Sequence, residues 1–156
     1  MPDKIMTRLE QLSIKLPNIQ SPIASYIPIK KSGSLLFISG QLPFKNNKII
    51  YPGKVGQNVS LDDALLSAQA CIINMISLLQ VTLNGKLDNI KQFVKISGYV
   101  ACDSSFTEHH IIMNEASDFI IKVFGPEIGK HSRIAIGCPS LPLNAPIEIE
   151  GIIEVK

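Results

Sequence analysis

The chain has 156 residues, 46% hydrophobic and 18% charged, which gives one domain with a real core and excludes a disordered chain. The formal net charge is only +2, and Lys30-Lys31 is the one adjacent basic pair, so no concentrated basic patch marks a nucleic-acid surface. No apolar run approaches membrane-spanning length, and the opening Met-Pro-Asp-Lys-Ile-Met carries no apolar signal segment; the expected location is cytoplasmic, with no membrane partner.

In chain order, residues 3–16 predict a short amphipathic helix. Ile5, Leu9, Leu12 and Leu16 fall at helical spacing, and Pro17 ends it. Residues 1–20 are thus a helical extension leading into the remainder of a single domain spanning 1–156. A strand is expected from Tyr26 to Lys30, and Lys31-Ser-Gly-Ser34 turns the chain back. Ser34 to Gly40 is a β-rich apolar run and reads as a central strand. Gly40 ends it where a backbone can approach a ligand closely. Residues 44–59 form a polar loop with a short edge strand, Lys48 to Tyr51.

Ser60 opens the clearest helix. It can cap free amides, and Asp62 and Asp63 suit the positive helix end. Ala64, Leu65, Ala68, Cys71, Ile72, Met75, Leu78 and Leu79 then repeat at three and four, until Asn84-Gly85. Asp88 to Ala101 reads as a long strand. A second helix is expected from about Ser105 to Phe124, with Met113, Ala116, Ile120 and Val123 inward and Gly125-Pro126 as its stop. Two helices covering one face of a mixed sheet make an α+β layer.

The last 26 residues read as two paired strands around a Pro/Asn-rich turn. Ile134 and Ile136 alternate with Arg133, Ala135 and Gly137; Ile147 and Ile149 alternate with Glu148 and Glu150. The pattern alone fits a solvated face. It equally fits a pocket in which Arg133 forks onto a ligand carboxylate and Glu148 activates a water. Periodicity does not choose between these, nor between Glu148 and Glu150 as the inward carboxylate.

Three blocks choose the pocket over the solvated face, and leave Glu148 against Glu150 open. Arg133 is followed after eight residues by Leu141-Pro142 and after fifteen by Glu148; Ser39-Gly-Gln-Leu-Pro43 precedes them; Tyr26 stands thirteen residues before Ser39. Together they resemble the YjgF/RidA family of reactive-intermediate deaminases, also labelled endoribonuclease L-PSP; the leading helix and the Phe106-Thr-Glu-His-His110 start of the second helix resemble its longer subgroup. The resemblance covers roughly residues 21–156. It implies a chorismate-mutase-like fold, a homotrimer, ligand clefts between subunits, and no cofactor.

By that resemblance, Arg133 would clamp a substrate carboxylate and Glu148 would position water. Gly40 would offer its N–H, Ala135 its carbonyl, and Ser39, Tyr26 and Asn114 would complete the pocket. Many deaminases of the family carry Cys where this chain has Ala135. His109, His110 and His131 have no metal-ligand spacing, and no metal site is expected. Cys71, Cys102 and Cys138 read as buried or half-buried free thiols.

Three functions follow for test. The first is hydrolysis of reactive 2-imino or enamine acids to a 2-oxo acid and ammonia. The second is a non-catalytic module holding a small carboxylate in the same cleft. The third is RNA cleavage, implied only by the family's older label and opposed by the weak charge; nucleic acid is not the expected partner.

Overall fold

The computed structural model describes residues 2–19 and 25–156. A five-stranded sheet runs in the order β1-β2-β7-β5-β6, formed by β1 (Ile29–Ser32), β2 (Leu35–Gln41), β5 (Ile90–Ala101), β6 (Ser132–Cys138) and β7 (Ile147–Val155). All neighbours are antiparallel except β5 and β6. A parallel pair needs a crossover, and α3 (His109–Phe124) supplies it. β3 (Phe44–Lys45) and β4 (Lys48–Ile49) form a separate small hairpin.

α2 (Leu61–Thr82) starts where expected. Ser60 accepts the Asp63 amide at 3.1 Å, and Asp62 and Asp63 occupy the first turn. With α3 it covers one sheet face. Ile72, Met75 and Leu79 from α2 and Ile112, Met113 and Ile120 from α3 are fully buried against Ile96, Val100, Ile149 and Ile153 of the sheet. A Cβ on Gly98 would lie 2.1 Å from the Met113 sulfur, so the bare backbone at 98 sets how closely α3 seats on β5. α2 is also long and apolar enough to cross a membrane, contrary to expectation; it passes that test as a core helix, since most of its apolar window is buried within the fold.

Several boundaries differ from the sequence reading. α1 is Lys4–Gln11 and stops short of Leu16, because Ser13 turns left-handed at φ 56°. Leu12, Ile14 and Leu16 still pack on the core, which is why their spacing imitated a longer helix. The segment from Tyr26 is a bend and β1 begins only at Ile29: Pro28 has no N–H for the ladder and restricts the residue before it. α3 begins at His109 because Asp103 captures the Ser105 amide at 2.8 Å and holds that stretch as a turn. A short helix, α4 (Pro126–Gly129), was not foreseen.

The leading segment is fastened at both ends. The Asp3 carboxylate accepts from the Met6 and Asp88 amides, while Asp88 accepts from the Lys4 amide at 2.9 Å. Further on, the Ser77 hydroxyl of α2 donates to the Pro17 carbonyl.

The largest correction concerns the final strands. β6 and β7 do not pair; β5 lies between them. β7 behaves as expected, with Ile147, Ile149, Ile153 and Val155 buried beneath the helices and Glu148 and Glu150 on the open face. β6 is inverted. Its Ile134 and Ile136 are 45% and 41% exposed on the open face, while Arg133 turns toward α3.

Candidate functional site

One group of the expected residues gathers where β2 meets β7. The register of the two strands slips between Ile38 and Gln41, a local bulge that re-aims the backbone. Ser39 is pinned there: its amide donates to the Pro28 carbonyl at 2.9 Å and its hydroxyl to the Ile27 carbonyl at 3.2 Å. Gly40 follows, and a Cβ on it would fall 1.9 Å from Glu148 Oε1. Only glycine leaves room for that carboxylate. Tyr26, Ser39 and Gly40 line a cavity of about 600 Å³.

Glu148 and Glu150 of β7 occupy the open face, flanked by Tyr99 of β5. The Tyr99 hydroxyl donates to Glu150 Oε1 at 2.8 Å and ties that carboxylate down. Glu148 is left against Gly40. Burial pushes its carboxyl above the usual carboxylate range, and the charge of Glu150 adds to the push. A carboxylate held above its ordinary value, with no cation paired to it among the described residues, is suited to accept a proton from water.

Arg133 lies elsewhere. Its Nη1 donates to Asn114 Oδ1 at 3.0 Å and to Ser117 Oγ at 3.1 Å, both on α3. Its position in register is opposite Ile96, which faces Gly151 of β7, three positions beyond Glu148. Two strand spacings and three residues of strand rise, roughly 10 Å each, and the thickness of the sheet therefore separate it from Glu148. Within one chain the cation and the carboxylate sit on opposite faces and cannot grip one small molecule. Ala135 stays with Arg133, two residues along the edge strand β6.

His109 takes no part in either group, while His131 reaches the Arg133 group through Ser117. His131 is half-buried, placed between the Ser117 hydroxyl and the Gly129 carbonyl, and burial holds its imidazole below the usual value. His109 Nε2 lies 3.4 Å from the Cys102 sulfur. No cluster able to hold a metal occurs among the described residues. The cysteines are free, and burial raises all three thiols. Sequence reasoning missed Ser117 and Tyr99. Ser117 stands three residues after Asn114, one helical turn on, and that spacing was a usable signal. Tyr99 is found only through register.

The family model described as "YjgF/chorismate mutase-like, putative endoribonuclease" matches residues 6–153. Protein TCP17 of Trypanosoma cruzi is 36% identical over 98% of this chain and 95% of its own length. The crystal structure of Atu1372 from Agrobacterium tumefaciens, a protein described as of unknown function, superposes with TM-score 0.89 at 39% identity, covering 97% of this chain and 94% of that one. The YjgF gene product of Escherichia coli shares the fold, with TM-score 0.64 at 18% identity over 89% and 94% of the two chains.

Proposed function

This chain belongs to the YjgF/chorismate-mutase-like family, and from that premise we propose that it hydrolyses reactive 2-imino and enamine acids to 2-oxo acids and ammonia, in a cleft shared by neighbouring copies. The observation that carries this reading is the division of the site. Arg133 is cradled by Asn114 and Ser117 on one face, and Glu148 is desolvated beside Gly40 on the other. Neither half is complete, and a second copy is the simplest source of the missing one. The open sheet face supports the assembly: Phe37, Ile134 and Ile136 are exposed there, an apolar surface that water disfavours. A closed homotrimer would cover it on every chain.

In such a cleft the Arg133 fork binds the substrate carboxylate through two parallel N–H donors. Asn114 and Ser117 fix its plane. Glu148 takes a proton from water as the oxygen attacks the C=N carbon, and the proton passes on to nitrogen. The carbinolamine then collapses to the 2-oxo acid and ammonia. An enamine enters the same sequence after protonation at its β-carbon. The Gly40 amide and the Ala135 carbonyl hold the water and the nitrogen, and Tyr26 closes the mouth. The imine is already electrophilic, so no cofactor is required. The expected location of such a scavenger is the cytoplasm.

The test uses purified protein and imine generated in place by an amino-acid oxidase, with ammonia release followed. Arg133→Ala and Glu148→Ala should each cut turnover to a small but measurable remainder. Mixed one to one, unfolded and reassembled, they should recover about a quarter of wild-type activity, the fraction of clefts that draws both intact halves from different chains. Failure of the mixture to recover activity rules out the shared cleft. Wild-type protein that binds 2-oxo acids but releases no ammonia is instead a non-catalytic binding module.

A further inference from the structure

The cavity is lined by Gly40 but not by Glu148, and part of its wall comes from outside the main sheet. Asn18 follows α1, Phe44 and Asn47 belong to the β3–β4 hairpin, and Asn74 and Leu78 belong to α2. Its volume of about 600 Å³ is far more than a methyl or ethyl group occupies and is within the usual range of small-molecule pockets. No Lys, Arg, His, Asp or Glu lines it among the described residues. A charged substituent entering it would be desolvated without a partner.

Asn74 gives the cavity a polar point. It is 9% exposed, and its amide nitrogen donates to the Leu42 carbonyl at 2.9 Å and the Phe44 carbonyl at 3.1 Å. Those two bonds fix which end of the amide is which. They leave Oδ1 with no partner among the described residues, and the residue lines the cavity. Oδ1 is therefore the fixed acceptor end of an amide that lines the cavity.

We propose that this cavity is the side-chain subsite of the reaction: it takes a large, uncharged substituent whose terminal O–H or N–H donates to Asn74 Oδ1, on a substrate whose reacting carbon lies beside Gly40 and Glu148. The proposal rests on the imine-hydrolase reading and names its substrate class. Small aliphatic imino acids leave the cavity wet and gain nothing from it. Acidic or basic side chains are excluded by desolvation. Uncharged side chains that lack a donor fill the space but leave Oδ1 unpaired, and a site built around a hydrogen bond discriminates strongly against such analogues.

The test separates binding from turnover. Calorimetry with stable 2-oxo acids should show 4-hydroxyphenylpyruvate binding at least about tenfold more tightly than phenylpyruvate, and both more tightly than pyruvate or 2-oxoglutarate. Asn74→Leu should erase the difference between the two aromatic acids. Should that variant unfold, Asn18→Trp, on an exposed segment outside helix and sheet, fills the cavity from its rim. It should weaken both aromatic acids about tenfold more than pyruvate. Equal wild-type affinity for pyruvate and 4-hydroxyphenylpyruvate overturns the subsite, as does an Asn18→Trp effect that is uniform or nil. The expected binding pattern without ammonia release from the matching imines overturns the hydrolase reading and leaves the subsite standing. Ammonia release with equal kcat/KM for all side chains overturns the subsite alone.

Discussion

Replacing Gly40 with alanine should separate activity from stability. The added Cβ would fall 1.9 Å from Glu148 Oε1, 2.7 Å from its Cδ and 2.9 Å from its Cγ. The oxygen would then be roughly 1.5 Å short of ordinary van der Waals contact, so the carboxylate must swing away. The displaced atoms are the end of a flexible, half-buried side chain rather than backbone, so the folding cost stays near the surface-substitution range of about 0.5 kcal/mol. A displacement of that size at a proton acceptor costs about a hundredfold in rate. The assay is kcat for ammonia release beside a urea melt, on Gly40→Ala, Glu148→Ala and the double variant. If the reasoning holds, Gly40→Ala acts through Glu148 and the double variant is no slower than Glu148→Ala alone. Undiminished kcat in Gly40→Ala, or losses that simply multiply in the double variant, would refute it.

Two further outcomes follow from the same coordinates. The Glu148 carboxyl is held above its ordinary value, so the folded chain binds more protons than the unfolded chain across that window and stability falls as pH rises through it. Glu148→Gln should therefore melt at higher urea than wild type at neutral pH and lose that advantage below about pH 4, where the carboxyl is protonated in both states. Ser60→Ala removes the acceptor of the Asp63 amide at the start of α2, and urea melts should show a loss of about 1 kcal/mol with turnover unchanged.

The helices and the inner strands were legible because their signals are local. The Ser60 cap, the three-and-four repeat from Ala64 to Leu79, and the alternation of Ile147 and Ile149 each depend on a few neighbouring residues. The inversion of β6 was not legible. Alternation says which residues share a face but not which face is covered, and nothing local showed that Ile134 and Ile136 of the edge strand β6 lie on the face away from α3. The pairing of β6 with β7 failed for a related reason: adjacency in sequence suggested a hairpin, and the parallel crossover through α3 had already placed β6 beyond β5. Of the site, Ser39, Gly40 and Glu148 were found together and Asn114 was found beside Arg133, all by resemblance. That these make two groups rather than one follows only from register.

The clasp between Asp3 and Asp88 has a wider consequence. Together with the Ser77 bond to the Pro17 carbonyl, it moors the leading segment to α2 and to the approach to β5, so residues 17–19 form a fixed partition beside Asn74 rather than a loose tail. That partition adds no strand to the sheet and touches neither Arg133 nor Glu148 in the bonds described. On the proposed reading, selectivity can thus be rewritten at the front of the chain while the scaffold that carries Arg133 and Glu148 stays as it is.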